Sequence, residues 1–140
     1  MKKLILLFIT SLILTSFSKV SESDFNIVGK WKGEENSEVG YIHFDNEGYA
    51  YFEFNGQKIG GKEFILKGKK GSMRYEIEFA EKFMKIDLIV TIIDENKTKS
   101  LLCLAERLNN DEMRFTIGFE GERPKGFENN DSMIFKRVKG

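Results

Sequence analysis

Few residues of this chain carry side chains that do chemistry. His43 is the only histidine and Cys103 the only cysteine. A cysteine–histidine nucleophilic pair needs a third group to orient it and electropositive surroundings to lower the thiol pKa. A metal site needs several His, Cys or carboxylate ligands that converge. The sequence offers neither set, so His43 reads as a half-exposed strand residue. Cys103, in the apolar run 101-LLCLA-105, reads as a small buried hydrophobe. Glu76 and Glu78 share one face of a strand pattern, with Asp87 a candidate neighbour. Paired carboxylates hydrolyse glycosides at defined separations, but glutamates at alternate strand positions are the ordinary wet face of a sheet. Lys58, Lys62, Lys67, Lys69 and Lys70 lie among four glycines and suggest an anion-binding hairpin. Their spacing matches no phosphate loop, and no helix follows to lend its dipole. Lysine-rich hairpins also protect sheet edges. No catalytic constellation emerges, and neither a metal nor a cofactor is expected.

The elements that would position these residues begin after the N-terminus. The chain of 140 residues opens MKKLILLFITSLILTSFSKV. Lys2 and Lys3 form a positive start, and Leu4 to Phe17 is an almost purely apolar run of 14 residues. A membrane-spanning helix needs about 20. Ser16-x-Ser18 then supplies small residues at cleavage-site spacing, which predicts a signal peptide over 1–18 and an exported, periplasmic or secreted protein. No stable membrane span is expected after cleavage. The remaining 122 residues hold 20 basic and 22 acidic side chains, a net charge of −2. Nucleic-acid binding usually demands a basic excess, so that class of partner is excluded. With one cysteine the exported chain has no internal disulfide, and its core must hold it together alone. Asn96-Lys97-Thr98 is a formal glycosylation sequon, of little meaning behind a bacterial-looking signal peptide.

Past a short lead-in over 19–26, the pattern predicts one all-β domain over 27–140. In 73-MRYEIEF-79, Met73, Tyr75, Ile77 and Phe79 alternate with Arg74, Glu76 and Glu78. In 113-MRFTIGF-119, Met113, Phe115, Ile117 and Phe119 alternate with Arg114, Thr116 and Gly118. Period 2 buries one face and wets the other. The run 84-MKIDLIVTII-93 is apolar on both faces from Leu88 onward, so part of it is expected to be covered twice. In 101-LLCLAERL-108 both faces begin apolar, and which one points inward stays open. Asn55-Gly56 is a strong hairpin signal. Asp45-Asn46-Glu47-Gly48 is another tight turn, and Gly60-Gly61 marks a bulge or bend. Eight or nine short strands at roughly ten-residue spacing predict an antiparallel meander, closed as a barrel or packed as a sandwich.

The ends choose the barrel. Gly29-Lys30-Trp31, led in by Asp24-Phe25 as a single helical turn, resembles the lipocalin signature. The resemblance implies a tryptophan at the closed end of the barrel, covered by a basic residue from the far end of the chain. Arg137 or Lys136 is placed for that role. Arg123-Pro124-Lys125-Gly126-Phe127, followed by a last strand with a basic end, resembles a group of small uncharacterised bacterial lipocalin-like domains. So does the middle of the chain, a strand with Tyr75 followed by Ile86-Asp87-Leu88. The likeness spans roughly residues 26–138. It departs in a tighter first half and the single cysteine. It implies a calycin-like barrel and no established activity.

Two functions fit this reading. An eight-stranded barrel either fills itself with side chains or holds one small ligand. Phe52, Phe54, Tyr75, Ile77, Phe79, Phe115 and Ile117 are the expected lining of an apolar site. Alternatively they fill the barrel, and end loops such as 120–131 serve a protein partner. In that long loop Pro124 is expected to end the penultimate strand, because it cannot donate to a ladder. Phe127 is expected to plug a barrel end, and Arg123 to bind loop carbonyls. Gly29, Trp31 and Arg137 complete the expected closure.

Overall fold

The computed structural model describes residues 25–35, 38–118, 121–128 and 132–139. The expected signal peptide and most of the lead-in lie outside the described residues. Nine strands follow in chain order: β1 (Gly29–Glu35), β2 (Glu38–Phe44), β3 (Ala50–Phe54), β4 (Gln57–Leu66), β5 (Lys69–Ala80), β6 (Phe83–Ile92), β7 (Lys97–Asn109), β8 (Glu112–Gly118) and β9 (Met133–Arg137). They form a closed barrel in sequence order, with β9 returning antiparallel to β1.

Local chemistry explains the meander. Asn55 and Gly56 both take positive φ (51° and 77°), the left-handed pair a two-residue hairpin turn requires. The Asp45 carboxylate accepts the backbone N–H groups of Glu47 (2.9 Å) and Tyr49 (2.8 Å), which folds the β2–β3 turn around one side chain. Alternation then aims the strands. Trp31, Ile42, Phe44, Met73, Met84, Ile86, Leu88 and Met113 face inward and are at most 2 % exposed. Burying each such side chain contributes roughly 1.5–3 kcal/mol. Asp24 lies outside the described residues, but the helical turn expected at Asp24-Phe25 does not continue into them: Phe25 to Val28 is non-helical, and among the described residues a short helical turn lies at Ile93–Glu95.

β4 carries the unusual feature. A closed ring in which every neighbour is antiparallel needs an even number of strands, and nine is odd. The register shows how the chain escapes. Phe54 to Tyr51 on β3 pair with Gln57 to Gly60, while Gly61 to Leu66 pair with Met73 to Lys69 on β5. Just beyond, Tyr49 bridges Arg74 directly, antiparallel. The Tyr75 N–H also donates to the Gly48 carbonyl at 2.9 Å. So β3 and β5 touch below the apex of β4, and β4 is a V whose two arms run in opposite senses along the barrel. Its apex is Gly60-Gly61, at φ 123° and 83°. A Cβ at Gly60 would sit 2.5 Å from the Ala50 carbonyl oxygen, so only glycine fits there.

The outer wall over β6–β8 has its own cover. Arg123 donates to the Cys103 carbonyl at 2.7 Å and pairs with Asp87 at 2.5 Å. Phe127 stacks on Phe83 at 6.3 Å between centroids, with the Arg114 guanidinium 5.8 Å from its ring. Phe83, Asp87 and Arg114 all point outward. The segment 121–128 is therefore a strap on the outside of the barrel. This settles the 101–108 question: Leu101, Cys103 and Ala105 face in, and Leu104 and Thr116 are buried on the outer face beside the strap.

Candidate functional site

The two ends of the barrel differ. The end bearing Gly29, the 45–49 turn and the 110–111 turn is sealed. Phe25 and Ile27, 6 % and 4 % exposed, lie in the core there, and Phe25 packs 6.0 Å from Trp31. The Trp31 indole N–H donates to the Ile27 carbonyl at 2.9 Å. The Arg137 guanidinium lies 4.3 Å from the Trp31 ring centroid, a cation–π distance. Its N–H groups reach the carbonyls of Val28 (2.9 Å), Asn26 (2.6 Å) and Asn110 (3.0 Å) and the carboxylate of Asp111 (3.1 Å). The pair of cations beside Asp111, Lys139 first and then Arg137, holds its carboxyl below the usual range. A Cβ at Gly29 would come 3.1 Å from the Arg137 Nη1. Lys136, the other candidate for this cover, points outward and is exposed.

The opposite end is the candidate site. Here an apolar cavity of about 310 Å³ opens between β2, β3, β7, β8 and β9. Phe52, Phe54, Phe115, Ile117, Leu101 and Met133 line it. Two glycines make the room. A Cβ at Gly40 would overlap the Phe54 ring, and one at Gly33 would come 2.5 Å from the Met133 sulfur. Without side chains at these positions, Phe54 and Met133 lean across bare backbone. Phe54 remains 50 % exposed, so the mouth is open. Beside it, Val90, Ile92, Lys97, Lys99 and Leu101 bound an open recess of about 630 Å³. Leu101 belongs to both.

Four of the seven residues expected to line a ligand site, Phe52, Phe54, Phe115 and Ile117, meet at this mouth. Tyr75, Ile77 and Phe79 do not. The Tyr75 hydroxyl donates to the Asp45 carbonyl at 2.7 Å and its ring meets Phe44 edge-on at 4.9 Å. It fastens β5 to the β2–β3 turn under the V; burial, with Asp45 adding to it, raises its pKa. Ile77 packs against the core and borders a small polar recess with Asp87 and Arg123. Phe79 lies where β5 has run past its β3 neighbour and is 43 % exposed. They left the row because β5 continues beyond the ring that alternation alone cannot see.

The closure residues divide in the same way. Gly29, Trp31 and Arg137 sit together at the sealed end. Arg123, Pro124 and Phe127 belong to the strap, and the expectation that Phe127 plugs a barrel end is corrected: Phe127 lies on the outer wall against Phe83 and Arg114. Pro124 does not end the penultimate strand either, since β8 stops at Gly118, where a Cβ would overlap the Glu122 carbonyl. Leu101 and Met133 at the mouth escaped the sequence reading. Leu101 was hidden because the strap makes both faces of its strand apolar. Phe25 and Ile27 did carry a signal, two apolar residues two apart directly before Gly29.

The reactive side chains are kept apart. Cys103 faces inward, and burial pushes its thiol up to about 12, so it stays protonated. His43 faces outward on β2 with its ring edge-on to Tyr51 at 4.7 Å; burial holds its pKa below the usual range. Glu76 pairs across the strands with Asp87, whose carboxylate is taken by Arg123. Among the described residues no three His, Cys, Asp or Glu side chains are grouped to hold a metal ion. Comparison with protein-family models, with curated proteins and with solved structures found no match.

Proposed function

We propose that this chain is an exported, lipocalin-like barrel that takes one small apolar molecule into its mouth. The apolar cavity behind the half-exposed Phe54 supports the reading. Its volume stands at the low end of the ~300–1,000 Å³ typical of small-molecule sites, and the opposite end is stoppered. The signal-like segment 1–18 supports export. Sequencing of the exported protein should then begin at Lys19 or within a few residues of it; full-length chain recovered from the cytosol overturns the localisation.

A neutral solvatochromic dye tests the binding. It should saturate one site with a Kd on the order of 1 μM, and Ile117→Trp should abolish the signal by filling the cavity. A dye that stays silent at tens of micromolar protein overturns the reading. It would favour the alternative, a filled barrel that meets a protein partner through its end loops. That alternative has its own support in Phe54, Ile65, Leu66 and Ile93, large apolar side chains exposed around the same rim.

A further inference from the structure

We infer that the mouth selects single-chain amphiphiles with an anionic head group, and that Lys99 receives the head. The inference rests on the apolar-ligand reading above and narrows it to a ligand class. Lys99 pairs across the sheet with Val90, and Val90 packs against the core. Paired residues share a face, so Lys99 points to the interior side of the wall. So does Leu101, two residues further down the same strand and part of both the recess and the cavity. One apolar path therefore leads from Lys99 past Leu101 to Phe115 and Ile117.

The charges around the recess favour an anion. Lys97, on the same face, lies 3.6 Å from Glu95, and Glu95 is also bonded by Lys69. Lys99 forms no ion pair or hydrogen bond with a described residue. An ammonium facing Val90, Ile92 and Leu101 has its counter-charge still to find, and a ligand carboxylate supplies it while its tail replaces water along the apolar wall. The cavity's size suits one alkyl chain rather than two. Among the described residues the β8-side pairing of β7 goes no further than Leu102, and a lysine near such an edge also discourages strand addition. That duty alone would give the ligand no charge preference, which is the quantity to measure.

Displacement of the neutral dye by decanoate, decanol and decyltrimethylammonium reads it directly. In the wild type decanoate should compete well and the cationic analogue poorly. Lys99→Met should weaken decanoate about five-fold relative to decanol, the size of an interaction at an exposed site. Lys99→Glu should reverse the preference toward the cation. A decanoate-to-decanol ratio that neither variant changes overturns the inference and leaves the apolar-ligand reading standing. So does decanol competing where decanoate fails. If the dye and all three amphiphiles fail to bind the wild type, both fall.

Discussion

At the scale of single residues, the sealed end concentrates its energy in two side chains. Trp31→Ala empties a fully buried indole site and should cost ~3–5 kcal/mol. Arg137→Ala strips partners from three carbonyls and should cost about 2 kcal/mol. Because guanidinium and indole are stacked, urea melts of the double variant should fall short of additivity by roughly 0.5–2 kcal/mol. Strict additivity would show that the two do not interact. Arg137→Lys should not rescue, since one ammonium cannot span the Asn26, Val28 and Asn110 carbonyls. Cys103 gives a pH test. Its folded pKa is raised to about 12 from 9.0, so the folded chain keeps a proton that the unfolded chain releases first. Its contribution to stability is therefore whole below about pH 9 and is lost as pH climbs toward 12. Cys103→Ala should flatten that alkaline limb; an unchanged slope would mean the thiol is solvated. Trp31 and Arg137 were legible because a motif at one end of the chain pointed to a partner at the other. Lys99 was not, because a lysine's facing depends on pairing with Val90, which no local pattern reveals.

At the scale of elements, β4 decides the architecture. Gly60→Ala brings a Cβ against the Ala50 carbonyl and the Met73 methyl, both at 2.5 Å, in a left-handed conformation. Gly61→Ala meets nothing within 4 Å and suffers the conformational strain alone, about 1–2 kcal/mol. Gly60→Ala should thus be clearly the more damaging of the two in thermal melts. Equal losses would argue against the close approach at the apex. The sequence marked this place as a bulge or bend, and the strands on either side were readable from alternation. That the chain doubles back was not, because direction is set by which neighbour each arm finds. The strap was misread for a related reason: Pro124 and Phe127 advertise a structured loop, and nothing local says whether it crosses an end or lies on a wall. The doubly apolar text of Leu101 to Ala105 was the unread clue, since a strand with two buried faces requires an outer cover.

At the scale of the whole molecule, holding the fold together and presenting the cavity fall to opposite ends, and variants should separate them. Ile117→Trp at the mouth should remove dye binding with little loss of stability. Arg137→Ala should do the reverse, lowering the melting temperature while the folded fraction binds dye as before. A single variant at either end that moves both readouts together would join what the geometry divides. The V of β4 gives this division a shape. At the level of the Tyr49–Arg74 bridge, β3 meets β5 and eight strand passes make the circumference. Toward the mouth each arm of β4 counts separately, and ten passes do. At about 4.8 Å per neighbour, the two extra passes add roughly 10 Å of girth. The wall is therefore a funnel rather than a cylinder. Its narrow end is filled by its own side chains, and its wide end is left with more perimeter than Phe52, Phe54, Phe115 and Met133 can fill.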